Sequence, residues 1–239
     1  PAKQSWKLTK GWRRHFDGEK KYERFDVFEV QDMESPAYFV KEEKDEDKMT
    51  FLELSDYIEE LKRSGYDVIG LEVVDGFLWE STGLYGESTL RVVDRTTGHL
   101  LGSVALDPGL FGEGLTALGD GRLLQLTWKA GRALVWEAAT LEQADSWAYG
   151  GQGWGVCRLD DDTLVVSDGS AGLAFREVDG FGRTGGIEVR LDGELVENLN
   201  ELECVAGTVW ANVWQTDRIV AIDPTTGQVN SVVDASGLV

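Results

Sequence analysis

Four stretches of this chain repeat one pattern, and that recurrence limits the fold more than anything else in the sequence. They are IGLEVVDGFLWESTG (residues 69–83), FGEGLTALGDGRLLQLTWK (111–129), GWGVCRLDDDTLVVSDGS (153–170) and LNELECVAGTVWANVWQTD (199–217). Each reads as a short apolar strand, a turn rich in Gly and Asp, and a second strand. A further hairpin follows, such as ALVWEAATLEQ or RIVAIDPTTGQVNSVV. The equivalent residues Ile69, Glu113, Trp154 and Asn200 fall 44, 41 and 46 residues apart, within the ~40–50 residue period of a four-stranded propeller blade. The innermost strand of every blade lines the central channel, so one position repeated in successive blades becomes a ring around one axis. A carboxylate, an indole and an amide at a place where strands ordinarily carry aliphatics mark that ring as the expected site.

Composition agrees with an all-β reading of residues 69–239. Glycine occurs 29 times and proline 4 times, as suits many short strands joined by tight turns. The net charge of −20 is concentrated in the repeats. Residues 1–68 carry 13 Lys/Arg and 17 Asp/Glu, whereas residues 69–239 carry 10 and 26. Such a surface repels phosphate backbones, which excludes nucleic acid as the expected partner. No run of 18 apolar residues is present, so no membrane span is expected. The sequence opens at Pro1 with no apolar leader, so a signal segment would lie outside it. Cys157 and Cys204 sit one repeat apart, on strands expected to be neighbours. A bridge would need Cα atoms ~4.4–6.8 Å apart, which neighbouring strands can supply, but two small buried thiols is the simpler expectation.

The first 68 residues differ in kind. SWKLTKGWRRHFD and KKYERFDVFEV alternate polar and apolar residues over two or three strands, with DGEKK as a hairpin turn. KEEKDEDK (41–48) is a mixed charge run expected to be a solvated linker. MTFLELSDYIEELKRS predicts a helix over 50–64, with Thr50 and Glu53 as a capping box and Gly65 closing it. Residues 6–68 resemble the end of the periplasmic domain of the LptF/LptG permeases of lipopolysaccharide transport, chiefly in the MTFLELSDYIEELKRSGYD run. That family continues into a transmembrane helix at this point, whereas this chain continues into IGLEVVDGFLWESTG.

From there a second resemblance takes over. FLWESTGLYGESTLRVVD, FGEGLTALGDGRLLQLTWKAG, GQGWGV, VVSDGS, ENLNELE and ANVWQTDRIVAIDPTTGQV, in that order, resemble the plant and bacterial glutamine cyclotransferases, a family of five-bladed propellers. The expected architecture is therefore a small α+β segment with one helix (1–68), followed by a mainly β, incomplete five-bladed-type propeller of about four blades (69–239). The arc's open edges are expected to be covered by the N-terminal strands or a second chain. The resemblance implies a periplasmic or secreted protein acting on peptides with N-terminal Gln. Where the family carries an FTQG motif this chain has Val68-Ile69-Gly70, and it reaches Val239 before the family's last blade and its TGK lysine.

Cyclising an N-terminal Gln requires the α-amine to attack the side-chain carboxamide while ammonia leaves. One carboxyl group with a raised pKa can move the proton between the two nitrogens. Glu113, between Gly112 and Gly114, is the candidate, since burial raises a carboxyl pKa. An amide or an indole N–H can hold the oxyanion. Asn200 and Trp154 stand at the matching ring positions and correspond to the family's pocket residues. Phe111, Trp128 and Trp214 are the expected substrate-binding walls, with inter-blade packing an equal reading for the two tryptophans. His15 and His99 lie far apart with no ligands at metal spacing, so neither a metal nor another cofactor is expected. Asp160 to Asp162 reads as a solvated turn. Two other functions fit the same residues: a non-catalytic propeller that binds a peptide end, and a lipopolysaccharide-export assembly module that pairs through an open sheet edge.

Overall fold

A computed structural model of the chain describes residues 4–5, 13–16, 20–23, 68–95 and 97–237. Four antiparallel sheets of four consecutive strands each follow one another from residue 68 onward. Blade one is β4 (Val68–Val74), β5 (Phe77–Thr82), β6 (Thr89–Val93) and β7 (Leu100–Ala105). Blade two is β8 (Gly112–Ala117), β9 (Arg122–Thr127), β10 (Arg132–Glu137) and β11 (Gln143–Ala148). Blade three is β12 (Val156–Arg158), β13 (Thr163–Ser167), β14 (Gly172–Glu177) and β15 (Arg183–Glu188). Blade four is β18 (Leu199–Val205), β19 (Thr208–Val213), β20 (Arg218–Ile222) and β21 (Val229–Asp234). Each repeat of the sequence is thus one blade of a four-blade propeller arrangement, in the predicted order.

Strand position within a blade explains strand composition. The middle strands are covered on both faces by neighbouring blades and read as near-continuous apolar runs. Leu123, Leu124 and Leu126 in β9, Ala133 to Trp136 in β10 and Leu164 to Val166 in β13 are all buried. Outer strands β7 and β11 face water and carry mostly exposed residues. Three of the apolar clusters lie between blades, and a fourth, Trp210 with Ala221 and Val233, lies within blade four. Trp79, Leu90, Leu115, Leu123 and Trp136 join blades one and two. Leu124, Leu126, Val135, Val156 and Leu164 join two and three. Val165, Leu173, Leu199, Leu202 and Ile222 join three and four. Burial at ~25 cal/mol per Å² of apolar surface makes these inter-blade layers the main stabilising term.

The inner strands β4, β8, β12 and β18 pack side by side in chain order. Their close approach depends on glycine. A Cβ on Gly70 would lie 2.7 Å from the Leu115 nitrogen, and one on Gly114 would lie 2.8 Å from the Val156 nitrogen. One on Gly155 would lie 2.7 Å from the Leu202 nitrogen. The same contact recurs between each successive pair, and no side chain fits there.

Two features depart from the sequence reading, and two N-terminal strand pairings accord with it. Cys157 and Cys204 form a disulfide, Cα atoms 5.4 Å apart, tying β12 to β18. This corrects the expectation of two free thiols: the diagonal position across adjacent inner strands brings the sulfurs together. A small hairpin, β16 (Arg190–Leu191) and β17 (Glu194–Leu195), sits between blades three and four. It turns at Asp192 and Gly193, both at positive φ. Strand β1 (Gln4–Ser5) pairs in parallel with β21 and extends blade four to five strands, so an N-terminal strand does cover an edge. Finally, β2 (Arg13–Phe16) and β3 (Lys20–Glu23) pair as antiparallel strands. The predicted helix 50–64 and the charged run 41–48 lie outside the described residues.

Candidate functional site

Three of the four inner strands carry a β-bulge at the ring position. Register slips between Val68 and Gly70 in β4, between Gly112 and Leu115 in β8, and between Leu199 and Leu202 in β18. The residues displaced are Ile69, Glu113 with Gly114, and Asn200 with Glu201. In blade three the corresponding residue Trp154 lies just before β12, where its N–H donates to the Ser167 carbonyl at 3.0 Å. A bulge re-aims a side chain out of the regular alternation. Sequence and backbone therefore agree on where the functional side chains leave the packing pattern.

Glu113 is buried. Desolvation alone pushes its pKa up to about 8, because no hydrogen bond or cation favours the charged form. Gly114 N–H donates to the Trp154 carbonyl at 2.7 Å, which places Glu113 and Trp154 on adjacent strands. Asn200 follows one strand further on, its carbonyl receiving the Ser167 hydroxyl at 2.5 Å. The three predicted catalytic residues thus occupy consecutive inner strands at one level.

The predicted walls gather at the same end of the blades. Trp128 N–H donates to the Phe111 carbonyl at 3.0 Å, and Gly153 N–H donates to the Trp128 carbonyl at 3.0 Å. Phe111 and Trp128 rings lie 5.6 Å apart, with Tyr85 5.4 Å from Phe111 on the other side. Trp154 meets Trp214 edge to face at 5.6 Å. Trp214 is 47% exposed and Trp128 is half-buried, so neither is inter-blade core. Together Tyr85, Phe111, Trp128, Trp154 and Trp214 form an aromatic arc around the ring positions. Lys129 Nζ stands 3.7 Å from the Trp128 ring centroid on that arc.

Sequence reasoning missed a group of carboxyls beside Glu113. Glu201 takes the place that Gly70, Gly114 and Gly155 hold in the other blades, and its carboxyl accepts from the Leu115 backbone N–H. Burial raises its pKa well above the ordinary value, reinforced by the charges of Glu113, Glu203 and Glu72. Glu72 accepts from Thr116 Oγ1 at 3.2 Å and Ala117 N–H at 3.1 Å. Desolvation nevertheless raises its pKa. Glu203 is raised to about 7 by desolvation and by Glu72. The break in the glycine pattern at Glu201 was the readable signal. Among the described residues no three His, Cys, Asp or Glu are placed to hold a metal. Tyr149, also unforeseen, donates its hydroxyl to the Thr127 carbonyl at 2.7 Å. Desolvation is the main reason its pKa rises to about 12, and the charge of Glu113 adds to it.

Four consecutive four-stranded sheets define a β-propeller, with a buried carboxyl at Glu113 on an inner strand. A family model described as glutamine cyclotransferase matches residues 63–239, and the chain belongs to that family. A glutaminyl-peptide cyclotransferase of Arabidopsis thaliana is 39% identical over 153 residues, covering 64% of this chain and 47% of that protein. The chain thus spans about half the length of that curated relative. The crystal structure of Myxococcus xanthus glutaminyl cyclase superposes with a TM-score of 0.66 at 38% identity, covering 72% of each chain. Hydrazine synthase of Kuenenia stuttgartiensis, at 14% identity and a TM-score of 0.50 over 69% of this chain and 48% of that one, shares the fold alone. A model of the LptF/LptG lipopolysaccharide export permease matches residues 1–74. Among the described residues no helix is long and apolar enough to cross a membrane.

Proposed function

We propose that this chain is a glutaminyl-peptide cyclotransferase, converting the N-terminal Gln of a peptide to pyroglutamate with release of ammonia. The observation that carries this reading is the Glu113 carboxyl, buried beside an aromatic arc and raised to about 8 with no partner to fix its charge. A carboxyl that titrates near the α-amine (~8) can both take and return a proton at neutral pH.

In the proposed reaction the α-amine nitrogen forms a bond to the side-chain Cδ and gives a proton to Glu113. The collapsing tetrahedral carbon then expels the amide nitrogen, which leaves as ammonia after receiving that proton. Reactant and products balance with no co-reactant. Asn200 and the Trp154 indole are the proposed donors to the oxyanion. Trp154 Nε1–H now points to Gln152 Oε1 at a long 3.4 Å, a contact weak enough to be exchanged for substrate. Phe111, Trp128 and Trp214 hold the aliphatic part of Gln in the one conformer that closes the ring, a restriction worth several kcal/mol.

The family match and the relatives' printed activity support the substrate class. The Cys157–Cys204 bridge supports an oxidising compartment, periplasmic or extracellular. Ammonia release from a Gln-initiated peptide, with the corresponding loss of mass, tests the reading. A protein that yields no ammonia from any such peptide does not carry the activity.

A further inference from the structure

The face of blade three turned toward blade two holds an open trough next to the pocket. Its floor is made of the small residues Gly172 and Ala174 on β14 and Gly186 on β15, where Ala174 pairs with Gly186. One end is bounded by Gln152, the hydrogen-bond partner of the Trp154 indole. At the other end Arg176 and Arg183 are cross-strand partners.

Residues 69–239 contain 10 Lys/Arg against 26 Asp/Glu, and Arg91, Arg122, Arg158 and Arg190 are in ion pairs. Arg176 instead lies over the rings of Tyr149 and Phe181, 5.2 and 4.6 Å from their centroids. It spends one N–H on the Phe181 carbonyl at 2.9 Å, and its buried Nε has no partner. Arg183 donates only to the Gly185 carbonyl at 3.2 Å. The trough lining also holds two carboxylates: Glu188, engaged by Arg190 at 3.1 Å, and Asp168, which accepts from the Ser170 N–H at 3.0 Å and the Ser170 hydroxyl. Burial and, secondarily, the Arg183 charge lower the Arg176 pKa, so the pair gains from an added anion.

We propose that this trough is a subsite for the downstream part of the peptide, with Arg176 and Arg183 receiving a carboxylate side chain. The inference rests on the cyclotransferase reading for the position of the peptide's first residue. From Gly172 to Arg176 the strand rises ~13 Å, at ~3.3 Å per residue. An extended peptide covers that length in about four residues. With Gln against Trp154 as the first of those four residues, the favoured acidic residue is the fourth. The small residues of the floor leave room for a main chain, and Arg forks suit carboxylates geometrically.

The experiment compares C-terminally amidated pentapeptides Gln-Ala-Ala-Ala-Ala, Gln-Ala-Ala-Glu-Ala and Gln-Glu-Ala-Ala-Ala by kcat/KM for ammonia release. Expected is a roughly tenfold preference for Glu at position four, the size of one charge-assisted contact, and none for Glu at position two. The preference falls to about one in Arg183→Ala and reverses in Arg183→Glu, while turnover of the all-Ala peptide stays at the parent level. Arg183 is exposed, so these variants keep the fold. Equal kcat/KM for the neutral and position-four peptides, or a preference unmoved in Arg183→Glu, overturns the subsite while leaving the cyclotransferase reading intact. If no peptide is turned over, anisotropy binding of fluorescent versions of the same three peptides decides separately. A position-four preference that Arg183→Glu reverses supports the trough and overturns the activity, and equal binding overturns the trough too.

Discussion

The Gly114 backbone N–H donates to the Trp154 carbonyl at 2.7 Å, and this bond sets the spacing between the proposed proton carrier and its aromatic neighbour. It exists because Gly114 has no side chain. A Cβ there would stand 2.7 Å from the Trp154 oxygen and 2.8 Å from the Gly155 Cα, both backbone atoms that cannot swing away. Gly114→Ala is therefore expected to separate β8 from β12, destabilising the protein by ~1–3 kcal/mol as overpacking does. Activity should fall more than stability, since positioning errors near 1 Å cost rates heavily. Urea unfolding together with peptide turnover checks both, and an Ala variant as stable and active as the parent would remove the argument.

Glu113→Gln keeps size and hydrogen-bonding capacity but cannot carry a proton. Turnover should drop ~10²–10⁴-fold, the worth of a positioned acid-base group, whereas affinity for a Gln-initiated peptide should persist. Ammonia release and isothermal titration on the same preparation separate the two effects. Loss of binding along with turnover would make Glu113 a binding residue instead.

The pH profile follows from the same carboxyl. The competent complex pairs a neutral substrate amine with an ionised Glu113, and both groups titrate near 8. Below that range one or both are protonated, so kcat/KM should rise with pH through about 8 and level off above it. Stability moves in one direction only. The folded-state pKa of Glu113 is raised from 4.5 to about 8, so the native state binds more protons than the unfolded chain between those values. Stability is then fully present below about pH 4.5 and lost as pH rises through about 8. Glu72, Glu201 and Glu203 are shifted the same way and add to the trend. Denaturation midpoints measured from pH 5 to 9 should fall, and less steeply in Glu113→Gln. A midpoint that rises with pH would contradict the desolvation of Glu113.

Much of this was legible before any coordinates, and the reason is repetition. Each blade has to solve the same packing problem, so buried middle strands such as RLLQLT and TLVVS recur at a fixed period. The residues that break the repeat, Glu113, Trp154 and Asn200, stand out against it. Phe111, Trp128, Trp154 and Trp214 were legible because they flank the repeated strands, whereas Tyr85, in the turn between β5 and β6, was not. What stayed hidden depends on which strands meet across the channel. Glu201 reaches the Leu115 amide two inner strands away, and the parallel pairing of Gln4–Ser5 with Ser231–Val232 joins the two ends of the chain. The Cys157–Cys204 bridge needed the diagonal offset of β12 and β18, which one-repeat spacing alone leaves open. Arg176 and Arg183 became neighbours only through the β14–β15 register.

The bridge makes its own prediction. Cys157 and Cys204 are 47 residues apart, and closing a loop of that length in the unfolded chain is worth about 4 kcal/mol in the chain-entropy account. A Cys157→Ser, Cys204→Ser protein should be destabilised by ~2–4 kcal/mol, as should the parent under reductant. Denaturant midpoints with and without dithiothreitol measure it. Midpoints that do not respond to reductant would mean that the thiols are not bridged in solution.

The Trp154–Trp214 contact separates the enzyme reading from the binding-module reading. The two rings meet edge to face at 5.6 Å, a geometry worth ~0.5–1.5 kcal/mol beyond buried area, and Trp214 stays open to solvent. Trp214→Ala removes one wall of the pocket but no hydrogen-bond donor of the proposed oxyanion site, so KM should rise several-fold with kcat nearly unchanged. Trp154→Phe keeps an aromatic wall but loses the indole N–H, so kcat should fall ~10–10²-fold with KM nearly unchanged, as loss of a donor felt mainly in the transition state requires. If both variants act only on affinity, and the parent binds Gln peptides without releasing ammonia, the arc is a recognition surface for peptide ends rather than a catalytic pocket.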